Sequence, residues 1–430
     1  MKGKRRRLWE GCKTLLILLL SCSAVFLASQ TLLPSGSRAF LSQLSQPTAP
    51  PTAAIGASAR SSQTLQPAAF AVTWEDGRYA VLYHQEDPEG YTQLSALIAE
   101  ALSDATQPTS TTPQQWEWAL AQPGVFCEYL GSMPLDTLNR WLSDQDNPAL
   151  AGCAAQRLCI TARTLYFADV ENGERFFSAS LNTDLTRALA QLTQHLSANG
   201  ARFACEDGSY PLLRRDALVL STTPTVPVLQ GENTLAIGED GTPGETLNRI
   251  LQLLSFHPQT NPLYAITGGH AITDSGETLR ITGSTVTYRR TDESSVRFPA
   301  QSPLDVTRAL AEETVGAFAG DARLYLDHIS QTDGVTTITY SLAYRGAAIR
   351  QSGGGWCAKF TVEDDAVTAF ELRLRRYTVL EGREVTLLPQ EQAAAAITGS
   401  RGKNLVILYE DALSAQEELV PFWAALSEGR

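Results

Sequence analysis

Residues 337–344 alternate without a break. Ile338, Tyr340, Leu342 and Tyr344 fall on one side; Thr337, Thr339, Ser341 and Ala343 fall on the other. A period of two is met by a strand, whose successive side chains point to opposite faces. Phe370, Leu372 and Leu374 alternate with Glu371, Arg373 and Arg375 in the same way. Both segments predict antiparallel strands with one face buried. Residues 404–409 add another strand. Residues 389–397 predict a short Ala-rich helix stopped by Gly399.

Upstream, residues 70–74 and 78–83 flank Glu75-Asp76-Gly77 and predict a hairpin. Leu94, Leu97, Ile98, Ala101 and Leu102 then share one helix face. Thr112-Pro113-Gln114-Gln115, Thr242-Pro243-Gly244-Glu245 and Ser302-Pro303-Leu304-Asp305 each give a cap, an early Pro and a capping-box side chain. The last two predict helices over 244–255 and 304–319. Helices and strands in this order predict an α+β body of antiparallel sheets with helices packed on one face.

The N-terminus has a different pattern. Residues 1–13 hold six basic residues against Glu10, and residues 14–37 hold no charge. The 20 residues 14–33 span about 30 Å as a helix, the hydrocarbon thickness of a bilayer. The preceding basic cluster places the N-terminus in the cytoplasm. The expectation is therefore one N-terminal transmembrane helix with an extracytoplasmic body, located at the cell membrane as a single-pass protein. Two other readings stay open. A cleaved signal peptide needs a shorter core and an A-x-A-like site, where Phe26-Leu27-Ala28 sets a bulky Phe. A lipoprotein signal would use Leu19-Leu20-Ser21-Cys22, in which Leu20 fits poorly. Thr14, Ile17, Ser21, Ala24, Ala28 and Thr31 recur at spacings of three and four. Small residues there let two backbones approach, so Ser21, Ala24, Ala28 and Thr31 form the candidate partner-binding face.

The 28 basic and 45 acidic residues beyond position 13 make the body strongly acidic. That excludes nucleic acid, whose binding rests on cations against phosphates. Residues 34–68, rich in Pro, Thr, Ser, Ala and Gln, read as an extended tether. The full division is 1–13 tail, 14–33 anchor, 34–68 tether, and domains at 69–215, 216–300 and 301–430.

Catalytic motifs are absent. His84, His195, His257, His270 and His328 show no zinc-ligand spacing. Ser400-Arg401-Gly402-Lys403 matches S-x-x-K only formally, because Ser400 follows a helix end instead of starting one. Glu206-Asp207-Gly208 and Glu239-Asp240-Gly241 read as turns, since they lack the alternating oxygen ligands of a calcium loop. Gly353-Gly354-Gly355 lacks a phosphate-loop lysine and reads as a hairpin loop. Cys127, Cys153, Cys159, Cys205 and Cys357 are too sparse for a disulfide scaffold and read mainly as buried thiols. No catalytic, cofactor-binding or metal-ligating residue is expected.

Residues 113–142 carry Trp116, Pro123-Gly124-Val125-Phe126, Tyr129-Leu130-Gly131, Pro134-Leu135 and Leu138 to Leu142. With residues 266–288, 340–379, Leu388-Pro389, 391–397 and Leu419-Val420-Pro421-Phe422-Trp423, this succession resembles the YycH family. These are regulatory proteins of the YycFG (WalRK) two-component system. The resemblance covers 69–430 and the anchor. It implies a non-enzymatic regulator of a cell-wall sensor histidine kinase, acting with a YycI-like companion through contacts that include membrane helices. The alternative is a membrane-anchored solute- or cell-wall-fragment-binding protein, which requires a deep pocket with converging polar groups. A cell-wall enzyme would instead show clustered, perturbed carboxylates in a cleft.

Overall fold

The computed structural model describes residues 63–427, apart from 75–76, 82–87, 171–172, 195, 207 and 292–295. They belong to one compact unit, residues 54–430. The segment 14–33, its Ser21, Ala24, Ala28 and Thr31, the tail 1–13 and nearly all of 34–68 lie outside the described residues.

The first sheet is antiparallel and seven-stranded, in the order β2-β1-β4-β5-β6-β7-β3. Its strands are β1 (Ala69–Trp74), β2 (Gly77–Val81), β3 (Thr109–Thr111), β4 (Gly124–Pro134), β5 (Ala154–Thr161), β6 (Thr164–Asp169) and β7 (Arg175–Ser180). Trp74 pairs with Gly77, as the Asp-Gly turn signal requires. Alternation along β1 and β4 sends Phe70, Val72, Val125 and Cys127 into one apolar cluster and Ala71 and Phe126 into another. Helices α1 (Pro88–Asp104) and α3 (Leu135–Ser143) fill the first cluster with Leu94, Ile98, Ala101, Leu138 and Trp141. Helix α2 (Pro113–Leu120) covers the other face with Trp116. Its N-terminus is closed by the predicted capping box: Gln115 N–H donates to Thr112 Oγ1 at 3.2 Å, and Thr112 N–H donates to Gln115 Oε1 at 3.1 Å.

After α4 (Thr186–Thr193), a short pair, β8 (Arg202–Phe203) and β9 (Leu218–Val219), leads to β10 (Thr225–Asn233) and α5 (Glu245–Leu253). A meander follows: β11 (Tyr264–Ile266), β12 (Gly269–Asp274), β13 (Glu277–Thr282) and β14 (Thr285–Arg290). Helix α6 (Pro303–Ala311) runs into a π-turn at Glu312–Gly316, so the helix expected over 304–319 is not one α-helix. The remaining elements are β15 (Arg323–Thr332), β16 (Val335–Tyr344), β17 (Ala347–Gln351), β18 (Ala358–Glu363), β19 (Ala366–Arg373), β20 (Arg375–Thr386), α7 (Gln390–Ala395), β21 (Lys403–Asp411), β22 (Gln416–Leu419) and β23 (Phe422–Ser427).

The eleven-stranded sheet forks at β16. Residues 336–340 of β16 pair with β18, and the sheet continues through β19 and β14 to β11. Residues 342–344 pair with β17, which then runs parallel to β21, with β23 at the edge. Strands β17 and β18 are thus two halves of one partner strand. Residues 352–357, containing Gly353-Gly354-Gly355, bulge out between them. The β16–β17 turn is at Arg345-Gly346, and a second tight turn carries the triple glycine, closed by an antiparallel bridge between Gln351 and Gly355. Its φ angles of 81°, 140° and 84° are in the region open to glycine. The third sheet, β20-β10-β22, is joined to the second where β19 passes into β20 across Leu374 alone. Strands from 216–300 and 301–430 therefore share two sheets.

The α+β expectation is corrected. The described residues are mostly β-sheet, 45% strand against 22% helix. Helices also lie on both faces of the first sheet, because its strands bury apolar residues on both sides. Among the described residues, no helix is long and apolar enough to cross a membrane. The one-face burial expected of 337–344 fails for a related reason. Thr339, Ser341 and Ala343 are buried along with their apolar neighbours, because the first sheet approaches that side.

The approach is made at Gly131. The register of β4 shifts between Glu128 and Met133, and that of β15 shifts between Leu326 and His328. These two bulges meet backbone to backbone. A Cβ on Gly131 would lie 2.0 Å from the Asp327 carbonyl oxygen, so only glycine fits without moving a strand. Gly131→Ala should therefore destabilise the protein by ~1–3 kcal/mol. A lowered urea midpoint at unchanged slope checks this.

Candidate ligand-binding cavity

A cavity of about 810 Å³ lies where the β17–β21–β23 wing faces β4 and β5. Its polar wall includes Glu128, Tyr129, Gln156, Asp327, Arg350, Gln351 and Asn404. Ala347, Ala348, Ile349, Leu405 and Ile407 supply apolar surface. Two buried charge networks fix the wall at separate points.

The first centres on Asp216. This carboxylate accepts from Arg157, Arg214 and the Trp116 indole, the last at 2.9 Å. Arg214 also donates to Glu128 at 2.8 Å, and Asn404 donates to the same Glu128 oxygen at 3.1 Å. Arg157 reaches Glu174 at 2.8 Å. Burial by itself would raise the Asp216 pKa. The two guanidiniums outweigh it and lower the pKa to about 2.

The second network centres on Asp411 at the end of β21. Arg375 grips it with two nitrogens, at 2.9 and 3.0 Å. Tyr377 donates to it at 2.6 Å, and Gln351 Nε2 donates to the Tyr377 hydroxyl at 2.9 Å. Burial, and then the Asp411 charge, push the Tyr377 phenol well above its usual range. The glycine bulge beside this network is held by Arg373. It donates to the Ser352 and Gly353 carbonyls at 2.8 and 2.9 Å and stacks 3.8 Å over the Trp356 ring.

Two wall charges, Arg350 and Asp327, stand outside these networks, and two further polar atoms are enclosed away from the open space. Tyr129 Oη and Gln351 Oε1 are buried and have no hydrogen-bond partner among the described residues. Arg350 forms no ion pair there, and Asp327 has only hydroxyl donors, from Ser341 and Thr339. Burial raises the Asp327 pKa; the hydroxyls and the more distant His328 and Arg350 pull it back in part.

The sequence expected its site residues elsewhere. Ser21, Ala24, Ala28 and Thr31 lie outside the described residues. Ser400 stands in a bend between α7 and β21. His257 and His328 are exposed and His270 is half-buried; His84 and His195 lie outside the described residues. All five outer cysteines are free thiols. Among the described residues, no group of three or more His, Cys, Asp or Glu is placed to hold a metal. The cavity residues come from β4, β5, β15, β17 and β21, so no local motif joins them. The available signal was their polarity inside strands: Arg157 beside Leu158-Cys159-Ile160, and Arg350-Gln351 after Ala347-Ala348-Ile349.

No protein-family model matches the chain, and no curated protein matches it. One solved structure, an uncharacterized protein from Eubacterium rectale, matches at 8% identity with a TM-score of 0.30. The match covers 48% of this chain and 80% of that one.

Removing one member of the Asp216 network leaves two buried guanidiniums short of a partner. Asp216→Asn should cost ~3–5 kcal/mol near neutral pH. The folded pKa is below the unfolded value, so the stabilisation is present above about pH 4 and is lost as the pH falls toward about 2. The gap between wild type and variant should narrow over that window in urea titrations. A gap constant down to pH 2 would contradict the assignment.

Proposed function

We propose that the chain is a membrane-attached, non-catalytic binding protein with its body on the extracytoplasmic side. The observation that carries the reading is the cavity, whose wall presents Asp327 and Arg350, two opposite charges without an ion-pair partner among the described residues. A roomy cavity that combines apolar surface with a few convergent polar and charged groups is suited to a ligand that pairs with them. The basic cluster before residues 14–33 supports attachment with the N-terminus in the cytoplasm.

Titration calorimetry on the full-length chain in detergent, with amino acids, short peptides and amino sugars as probes, tests the proposal. Saturable binding is expected, accompanied by a rise in Tm with probe concentration. Filling the cavity by Ala348→Trp should abolish both effects while the protein remains folded. Absence of saturation by every probe counts against the reading.

A second reading, a regulator of a sensor histidine kinase with a YycI-like companion, is favoured by the 113–142 resemblance and by the small-residue spacing in 14–33. Its contact would run through Ser21, Ala24, Ala28 and Thr31. Replacing Ala24 and Ala28 by Leu should reduce co-purification of the kinase several-fold, whereas Ala348→Trp should not. Undiminished co-purification in the Leu variant sinks that contact.

A further inference from the structure

Asp327 and Arg350 are placed by three adjacent strands. The β15 bulge between Leu326 and His328 brings Asp327 to the side of β16 that carries Thr339 and Ser341. Thr339 Oγ1 donates to Asp327 Oδ2 at 3.3 Å, and the Ser341 hydroxyl also donates. On the opposite edge of β16, Leu342 pairs with Ile349 and Ala343 with Ala348. One further step in that register sets Arg350 beside Ser341. The carboxylate and the guanidinium therefore flank Ser341, and both line the cavity.

The two charges are close enough for Arg350 to lower the Asp327 pKa, yet they form no ion pair. The other wall charges have direct partners where they are buried: Glu128 with Arg214, and Asp411 with Arg375. Glu410 is exposed to water, and Glu417 accepts from the Ala412 amide at 3.0 Å. Asp327, held by two hydroxyls, and the half-buried Arg350 are thus two opposite charges on one wall that no ion pair occupies, and each is open to a charged group of a ligand. A simple cation would leave Arg350 unmatched, and a simple anion would leave Asp327 unmatched. A ligand carrying both signs satisfies the two together. The volume of about 810 Å³ suits a ligand larger than one amino acid.

We propose that the cavity binds zwitterionic short peptides, with the ammonium group on Asp327 and the carboxylate on Arg350. This rests on the binding-protein reading above and adds the ligand class to it.

The test is calorimetry of the full-length chain in detergent with alanyl-alanine, in the L,L and D,D forms. The N-acetylated and C-amidated forms and N-acetylglucosamine are run beside it. Alanyl-alanine should bind, and blocking either terminus should weaken binding by roughly tenfold or more. Asp327→Asn should abolish the preference for a free amine and keep the preference for a free carboxylate. Arg350→Gln should do the reverse. The blocked peptides test the inference on the wild-type protein, so it does not depend on either variant folding. Equal binding of free and blocked dipeptide overturns it, as does wild-type affinity in both variants. If only N-acetylglucosamine saturates, and Ala348→Trp blocks it, the zwitterion inference falls while the binding-protein reading stands. If no probe saturates, both fall.

Discussion

Asp216 holds the two ends of the body together. Its carboxylate takes Arg157 from β5 and Arg214 from the irregular segment before β9, and Arg214 reaches on to Glu128 of β4. Asn404 of β21 closes the link from the other sheet. All three charged residues at the centre are almost fully buried. Buried ions are tolerated only when each is matched, so the elements that carry them have little freedom of placement. The segment through Leu213, Ala217 and Val219 is further clamped between Ala393, Ala394 and Leu405. Gln390 completes it by bonding the Leu218 carbonyl at 2.7 Å and the Leu220 amide at 2.9 Å.

The cavity follows from how the sheets fail to continue. At β16 the partner strand divides into β17 and β18, and the glycine bulge carries the chain between the halves. The β17–β21–β23 wing is turned away from the main sheet, and Arg375 with Asp411 anchors it to the third sheet. On the facing side, β4 meets β15 where two bulges coincide at Gly131 and Asp327. Bulges bend a strand and re-aim its side chains. Here they bring the first sheet close enough to bury Ser341 and leave the space beside it open.

Much of the local structure was legible in the sequence. The hairpin around Gly77, the buried face Leu94-Leu97-Ile98-Ala101-Leu102, the capping box at Thr112 and the strands at 337–344 and 404–409 all depend on neighbours within a few residues. Periodicity and caps report such neighbours directly. The balance of helix and strand was misjudged because capped starts suggested longer helices than tertiary packing sustains. The helix expected over 304–319, for instance, ends as an α-helix at Ala311 and passes into a π-turn at Glu312–Gly316. The candidate site was not legible. Asp327, Arg350 and Glu128 are far apart in the chain, and each by itself looks like an ordinary polar residue on a strand's solvent face.

The sequence by itself determined which segments become strands, which face of α1 is buried, and the charge contrast between the basic tail and the acidic body. These are properties of spacing and composition, felt locally. Only the tertiary structure decided that both faces of the first sheet are covered and that the second sheet forks at β16. It also decided that a carboxylate and a guanidinium from different strands share one cavity without neutralising each other. The reason is that register, bulges and buried ion pairs are set by residues many positions apart. Their matching is a property of the packed whole, and no run of neighbours encodes it.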